Sequence, residues 1–316
     1  MTSPQPSAIA PQTFLLCPGQ GAQAVGMGRA WFEHSDVAKQ TFAAADQELG
    51  IALSDLCFNG PAEQLNRTDV AQAAIYVTSV ACYQALVEEG KLGKPDAVAG
   101  LSLGEFTALY LAGAVSFLDG LRLVRLRGQA MQEAADATPS SMVALTGEAD
   151  EAKVRELCDE VLADDSSQVL VPANFNSPMQ VVVSGTVEGC EKAVPAAEAM
   201  GFKATPLSVA GAFHSPLMRP AAEKLADALE RVEWSPPKCP VIANVTAEPH
   251  GDDLSVIKQR LVEQLTHPVR WSQSMQHAAK QYPHARFVEL APGKVLTGLM
   301  RRTERSIKVE NHDTPG

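Results

Sequence analysis

The sequence predicts an α/β fold in two parts: a large domain built on a parallel sheet and a smaller domain inserted into it. Three observations predict it. Short, wholly apolar runs alternate with helical patterns through most of the chain, the order that builds parallel sheets. One of those runs, residues 97–99, leads into Gly100-Leu101-Ser102-Leu103-Gly104-Glu105 and then a helical run, 106–112. Between 139 and 207 the rhythm changes to strand, helix, strand, strand, helix, strand, the order of a ferredoxin-like module.

The elements follow in order. Residues 1–12 are rich in Pro and Ser, lack the basic-then-apolar order of a leader peptide, and are expected to be a disordered lead-in. Residues 13–17 form the first buried strand, ended by Pro18. The glycine-rich turn Pro18-Gly19-Gln20-Gly21 follows. It lacks a phosphate-loop lysine, so we read it as a loop presenting a backbone N–H to a reacting carbonyl. Residues 31–65 alternate helix and loop, and 70–89 predict a long helix with Val77, Val80, Ala81 and Leu86 on one buried face. The helix 117–131 buries Phe117, Leu121, Val124, Gly128 and Met131, leaving Arg122 and Arg125 solvated.

In the inserted module the strands are expected at 142–146, 169–171, 180–184 and 203–207, with helices at 149–162 and 187–200. Asn174 and Asn176 fall at a strand end, as turn-formers or as cleft-lining amides. Beyond it come helix 217–231, strand 241–244, helix 254–265, a helix ending at 281 and strand 286–290. A final helix carries Arg301 and Arg302, and 307–309 add an edge strand. The expected boundaries are thus 13–137 with 208–310 for the large domain and 138–207 for the small one.

Composition narrows the function. The chain has 316 residues, 26 basic against 37 acidic, for a net charge of −11. That excess disfavours nucleic acid as a partner, and no unbroken apolar run approaches the ~20 residues of a membrane span. Six scattered cysteines with no CxxC spacing suit reduced thiols in the cytoplasm and offer no metal site.

G-x-S-x-G between a strand and a helix is the context of a nucleophile elbow, with the Ser102 hydroxyl at the apex of a turn too tight for a Cβ. The helix that follows aims its free N–H groups at the same point. Two further residues stand out. Arg127 has Leu123, Val124, Ala130 and Met131 as helical neighbours, so it either forms a structural ion pair or waits for a substrate carboxylate. His214, one of seven histidines, sits on a loop before a helix, either as an ordinary core residue or as a catalytic one.

Seven segments in one order resemble a known family: Pro18-Gly19-Gln20-Gly21, Gly100-Leu101-Ser102-Leu103-Gly104-Glu105, Arg127-Gly128-x-x-Met131-Gln132, Asn174-x-Asn176-Ser177-Pro178, Gly211-Ala212-Phe213-His214-Ser215, Gln264-Leu265-x-x-Pro268-Val269 and Pro292-Gly293-Lys294-Val295-Leu296. Together they are similar to the malonyl-CoA:acyl carrier protein transacylases of the dissociated fatty-acid synthase, over residues 14–302. The resemblance implies an α/β-hydrolase-like large domain with a ferredoxin-like insert, and ping-pong transfer of malonyl from malonyl-CoA to the phosphopantetheine thiol of acyl carrier protein. It implies Ser102 as nucleophile, His214 as base then acid, and the backbone carbonyl of Gln264 orienting the imidazole. The N–H groups of Gln20 and Leu103 would form the oxyanion hole, and Arg127 would bind the malonyl carboxylate. Phe213 resembles the residue of malonyl-selective members, and Asn174 and Asn176 would line the substrate cleft. No cofactor is implied beyond the substrates, and the chain is taken as a monomer.

One departure is Leu101, where many relatives have His. Carrier docking on so acidic a chain calls for a local basic patch, for which Lys294, Arg301 and Arg302 are the candidates, with Arg122 and Arg125 as a second set. Rival readings are a serine hydrolase or thioesterase, an acyltransferase serving a polyketide synthase in trans, and a non-catalytic carrier-binding scaffold.

Overall fold

The computed structural model describes residues 12–163, 165 and 167–316; the expected lead-in lies almost wholly outside them. In chain order the strands are β1 (Thr13–Cys17), β2 (Ala97–Gly100), β3 (Ser140–Thr146), β4 (Leu170–Ser177), β5 (Gln180–Thr186), β6 (Lys203–Pro206), β7 (Val241–Ile242), β8 (Arg286–Leu290) and β9 (Val309–His312).

Five of them form a parallel sheet in the order β7-β2-β1-β8-β9. Its central strand is apolar and buried from Phe14 to Cys17 because both faces are covered. Leu15, Cys17, Val98 and Val288 face the larger core cluster, and Phe14, Leu16, Ala97, Ala99 and Phe287 face a second one around Trp271, Met275 and Met300. Phe14 and Phe287 stack with ring centroids 4.9 Å apart across adjacent strands.

The larger cluster is organised by the helix Thr68–Glu88. Every residue from Thr68 to Cys82 is buried, so over those residues the helix has no solvent face, in contrast to the single buried stripe its larger apolar residues suggested. It is long and apolar enough in composition to cross a membrane, and here it is a core helix instead. The helix Phe117–Ala137 packs beside it, capped at its start by the Ser116 hydroxyl, and turns Leu121, Val124, Arg127, Gly128 and Met131 inward.

The second sheet is antiparallel, in the order β4-β5-β3-β6. With helices Glu151–Leu162 and Val187–Ala199 it has the ferredoxin-like arrangement. Strand alternation splits its side chains. Val143, Leu145, Val181 and Val183 pack beneath those helices, while Met142, Ala144 and Val182 join the large core. β4 is longer than the sequence suggested, and Asn174 and Asn176 fall among its last four residues, 174–177. The backbone of β4 also bridges to Val269: Phe175 N–H donates to Val269 C=O and Val269 N–H to Ala173 C=O, each at 2.9 Å.

Elsewhere, too, boundaries move. The expected helix 217–231 divides into a short 3-10 turn, Pro216–Met218, and the helix Arg219–Leu229. β7 stops at Ile242, and the edge strand, expected at 307–309, is Val309–His312.

Candidate active site

The site is built where β2 ends. Ser102 has a φ of 51°, a left-handed conformation rare outside glycine. The turn closes so tightly that a Cβ on Gly100 would lie 1.9 Å from the Gly104 backbone, and one on Gly104 would lie 2.1 Å from the Cys17 carbonyl oxygen. Two amide side chains hold the strained residue from either side. Ser102 N–H donates to Asn244 Oδ1 at 2.6 Å, and Ser102 C=O accepts from Gln264 Nε2 at 2.9 Å. Asn244 reaches the end of β2 as well, donating to Gly100 C=O at 2.7 Å.

His214, also at positive φ (58°), brings Nε2 to 2.9 Å from Ser102 Oγ. Its Nδ1 lies 2.6 Å from the Gln264 carbonyl oxygen. A carbonyl can only accept, so Nδ1 carries the proton and Nε2 presents its lone pair to the serine hydroxyl. The imidazole is nearly sealed from solvent at 4 % exposure. Burial first, and the Arg127 charge second, push its pKa down to about 3, partly opposed by the bond to Gln264. It is therefore neutral at physiological pH.

Arg127 is wholly buried, 0 % exposed, with its guanidinium 5.7 Å from the Phe106 ring centroid. Nη1 donates to Gln72 Oε1 at 2.7 Å, and Nη2 to Gln264 Oε1 at 2.8 Å and to Ser102 Oγ at 3.0 Å. Nε has no acceptor among the described residues. None of their carboxylates pairs directly with this guanidinium, so it is not the structural ion pair that its apolar setting made a possible reading. Burial lowers its pKa to about 10, a drop that the Glu105 charge partly opposes, and the group stays cationic.

The other expected residues divide. Leu103 is buried at the start of helix Gly104–Leu111, where its N–H is one of the free donors of a helix N-terminus. Gln20 follows β1 in the adjoining loop, and its Oε1 lies 3.5 Å from Gln72 Nε2, which ties the loop to the arginine's support. Phe213 is buried in the main core beside His214. Asn176 is tied across its hairpin to Gln180 at 3.5 Å, and neither it nor Asn174 hydrogen-bonds Ser102, His214 or Arg127.

Of the basic candidates, Lys294, Arg301 and Arg302 are exposed, the two arginines in the last turn of helix Val295–Thr303. The second set divides: Arg122 is exposed as expected, though ion-paired, while Arg125 is partly buried. Arg122 is paired with Glu48 and Asp119, and Arg125 donates to the Asp69 carbonyl and carboxylate.

Sequence reasoning passed over Gln72, Asn244 and His250, and gave Glu105 no role. Gln72 carried a signal, a polar side chain inside the apolar run Val70–Ala74. Glu105 stands in the quoted segment around Ser102, while Asn244 and His250 are joined to the site only by tertiary contacts.

A hydroxyl held between a neutral imidazole and a sealed cation can take up an acyl group that carries its own negative charge, and with this fold it defines a serine acyltransferase. The chain belongs to the acyl transferase domain family, whose sequence model matches residues 13–314. It is 42% identical over 294 residues, 93% of this chain and 90% of the relative, to a malonyl CoA-acyl carrier protein transacylase of Bacillus subtilis. Among solved structures it is similar to the malonyl CoA-acyl carrier protein transacylase of Coxiella burnetii, with TM-score 0.92, 35% identity, and coverage of 98% of this chain and 96% of that one. It is equally similar, at TM-score 0.91 and 38% identity over 96% of both chains, to a malonyl-transacylase solved in complex with a type II polyketide synthase acyl-carrier protein.

Proposed function

We propose that this protein moves a malonyl group from malonyl-CoA to the phosphopantetheine thiol of an acyl carrier protein, through a malonyl ester on Ser102, and so supplies fatty-acid synthesis. The observation that carries this reading is Arg127. A fully buried guanidinium that has only neutral partners, an Nε without an acceptor, and an Nη2 against the nucleophile is a site lacking an anion. Nε and Nη2 lie on one edge of the guanidinium and present two parallel donors, the arrangement that matches a carboxylate.

In the first half-reaction Ser102 Oγ attacks the thioester carbonyl while His214 Nε2 takes its proton. The C–O bond forms, the C–S bond breaks, and the imidazolium returns the proton to the departing CoA sulfur. In the second, His214 deprotonates the carrier thiol, the thiolate attacks the ester, and Ser102 leaves with the proton. The Gln264 carbonyl keeps Nδ1 protonated and supports the imidazolium in both. The N–H groups of Leu103 and Gln20 receive the oxyanion. One such donor is worth about 2.7–4 kcal/mol and a placed base about 10²–10⁴ in rate, so the chemistry has adequate means without a triad carboxylate.

Lys294, Arg301 and Arg302 receive the carrier, whose own charge is acidic by the resemblance. A likeness to a protein bound to a polyketide carrier supports a second reading, in which the same transfer serves a polyketide synthase.

Intact-mass spectrometry of the protein mixed with malonyl-CoA tests the proposal. A malonyl adduct mapped to Ser102, stable in buffer and discharged by holo-carrier protein, is expected. Rapid loss to water with no carrier present would make the protein a thioesterase instead.

A further inference from the structure

The site's two amides, Gln264 and Asn244, converge on one buried group. Glu105, three residues past the serine, is 0 % exposed. One carboxylate oxygen accepts from Gln264 Nε2 at 2.5 Å, and both lie 3.3 Å from the Asn244 N–H. On its far side His250 Nε2 stands 2.6 Å from Oε1, with that imidazole sealed too.

We propose that Glu105, held by His250, is a positioning residue that sets the orientation of the Gln264 amide and thereby aims Arg127 at the acyl group on Ser102. The proposal rests on the transfer reading above. Its physical basis is the polarity of the amide. Gln264 lies between a carboxylate, which only accepts, and a guanidinium, which only donates. With Nε2 toward Glu105 and Oε1 toward Arg127, both ends are satisfied. Turned over, the amide would set donor against donor and acceptor against acceptor in a dry interior, so one orientation survives. That orientation also fixes Nε2 on the Ser102 carbonyl, while the main chain of the same residue holds His214. Asn244, whose N–H lies against the same carboxylate, clamps the other side of the serine backbone. Glu105 is thus one bond from both residues that hold the strained nucleophile and two from Arg127, and it touches no reacting atom.

A glutamine at 105 keeps the shape but removes the demand for a donor. His250 and Asn244 still supply hydrogen, and the new amide can present its own N–H to Gln264. The amide is then free to turn, and Arg127 loses the acceptor that aims it.

The test compares second-order rates of Ser102 acylation by malonyl-CoA and by acetyl-CoA, read by intact mass, in the parent, Glu105→Gln, Glu105→Asp and His250→Asn. The malonyl-to-acetyl ratio is expected to fall about 10- to 100-fold in folded Glu105→Gln, as for a misplacement of about 1 Å. Glu105→Asp, which keeps the charge, is expected to retain more of the ratio, and His250→Asn to lose part of it. A folded Glu105→Gln with the parent's ratio, or one slowed equally toward both donors, would overturn the assignment. Should Glu105→Gln prove insoluble, an unchanged ratio in folded His250→Asn overturns it just as well. A parent protein that forms no malonyl ester would refute the transfer reading instead, and is seen before any variant is compared.

Discussion

Arg127 Nη2 lies 3.0 Å from Ser102 Oγ, so a fixed cation and the reactive hydroxyl share one hydrogen bond inside the protein. The same oxygen donates to His214 Nε2 at 2.9 Å. Charge recognition and proton transfer therefore meet at one atom, and each affects the other. The Arg127 charge disfavours an imidazolium; a carboxylate held by Arg127 would offset that charge and make the imidazole a better base.

This coupling sets the pH dependence of acylation. The neutral imidazole is the active form, and it is lost only as pH falls through about 3. Stopped-flow acylation by malonyl-CoA is expected to vary little between pH about 5 and about 8. In Arg127→Ala the acid limb is expected to move upward, because a cause of the depressed value is gone. An acid limb near the ordinary histidine value in the parent would show that His214 is not sealed as described.

Stability should respond to the same group with a definite sign. Between about 3 and 6.5 the unfolded chain binds a proton at His214 that the native state does not, so stability rises with pH across that window and is lost on acidification. Each unit costs about 1.4 kcal/mol. Going from pH about 7 to about 5, His214→Gln is expected to lose about 2 kcal/mol less than the parent in urea unfolding. Equal losses would contradict a buried neutral imidazole.

Phe213 is buried next to His214 in the chain, and its proposed role is to limit the room an acyl group finds beside the base. Phe213→Ser is expected to raise kcat/KM for methylmalonyl-CoA by about 10-fold, within the range one methyl group commands in an apolar pocket. If methylmalonyl is used as poorly as before, the ring does not form that wall.

Arg301 and Arg302 project from the last turn of their helix into solvent. Reversing both to Glu is expected to raise KM for carrier protein about 10-fold while self-malonylation proceeds at the parent rate. Unchanged carrier kinetics would move the docking surface elsewhere.

Much of this was legible because it is local. A strand, two glycines around a serine and a helix mark the elbow along the chain, even though distant residues, Asn244 and Gln264, then hold it. The antiparallel insert was readable because its order of strands and helices is written along the chain, although only β4 and β5 are neighbours both in sequence and in the sheet. Tertiary relationships were not. The helix Thr68–Glu88 hides its full burial because alanine, serine and threonine fill the faces between its larger apolar residues. Arg125 read as solvated because its partner, Asp69, comes from another helix. Gln264 was singled out for its carbonyl through the resemblance, but its side chain, which touches Arg127, Ser102 and Glu105 together, has no signature along the chain.

The most direct measurement is the ratio of malonyl to acetyl acylation of Ser102 in Arg127→Ala beside the parent, by intact mass at matched concentrations. The loss of a buried charge partner is worth about 2–5 kcal/mol, so the malonyl rate is expected to fall at least about 30-fold while acetyl is used as well as before or better. A variant that kept the parent's preference for malonyl would contradict the account, because the diacid would then be recognised by something other than this guanidinium.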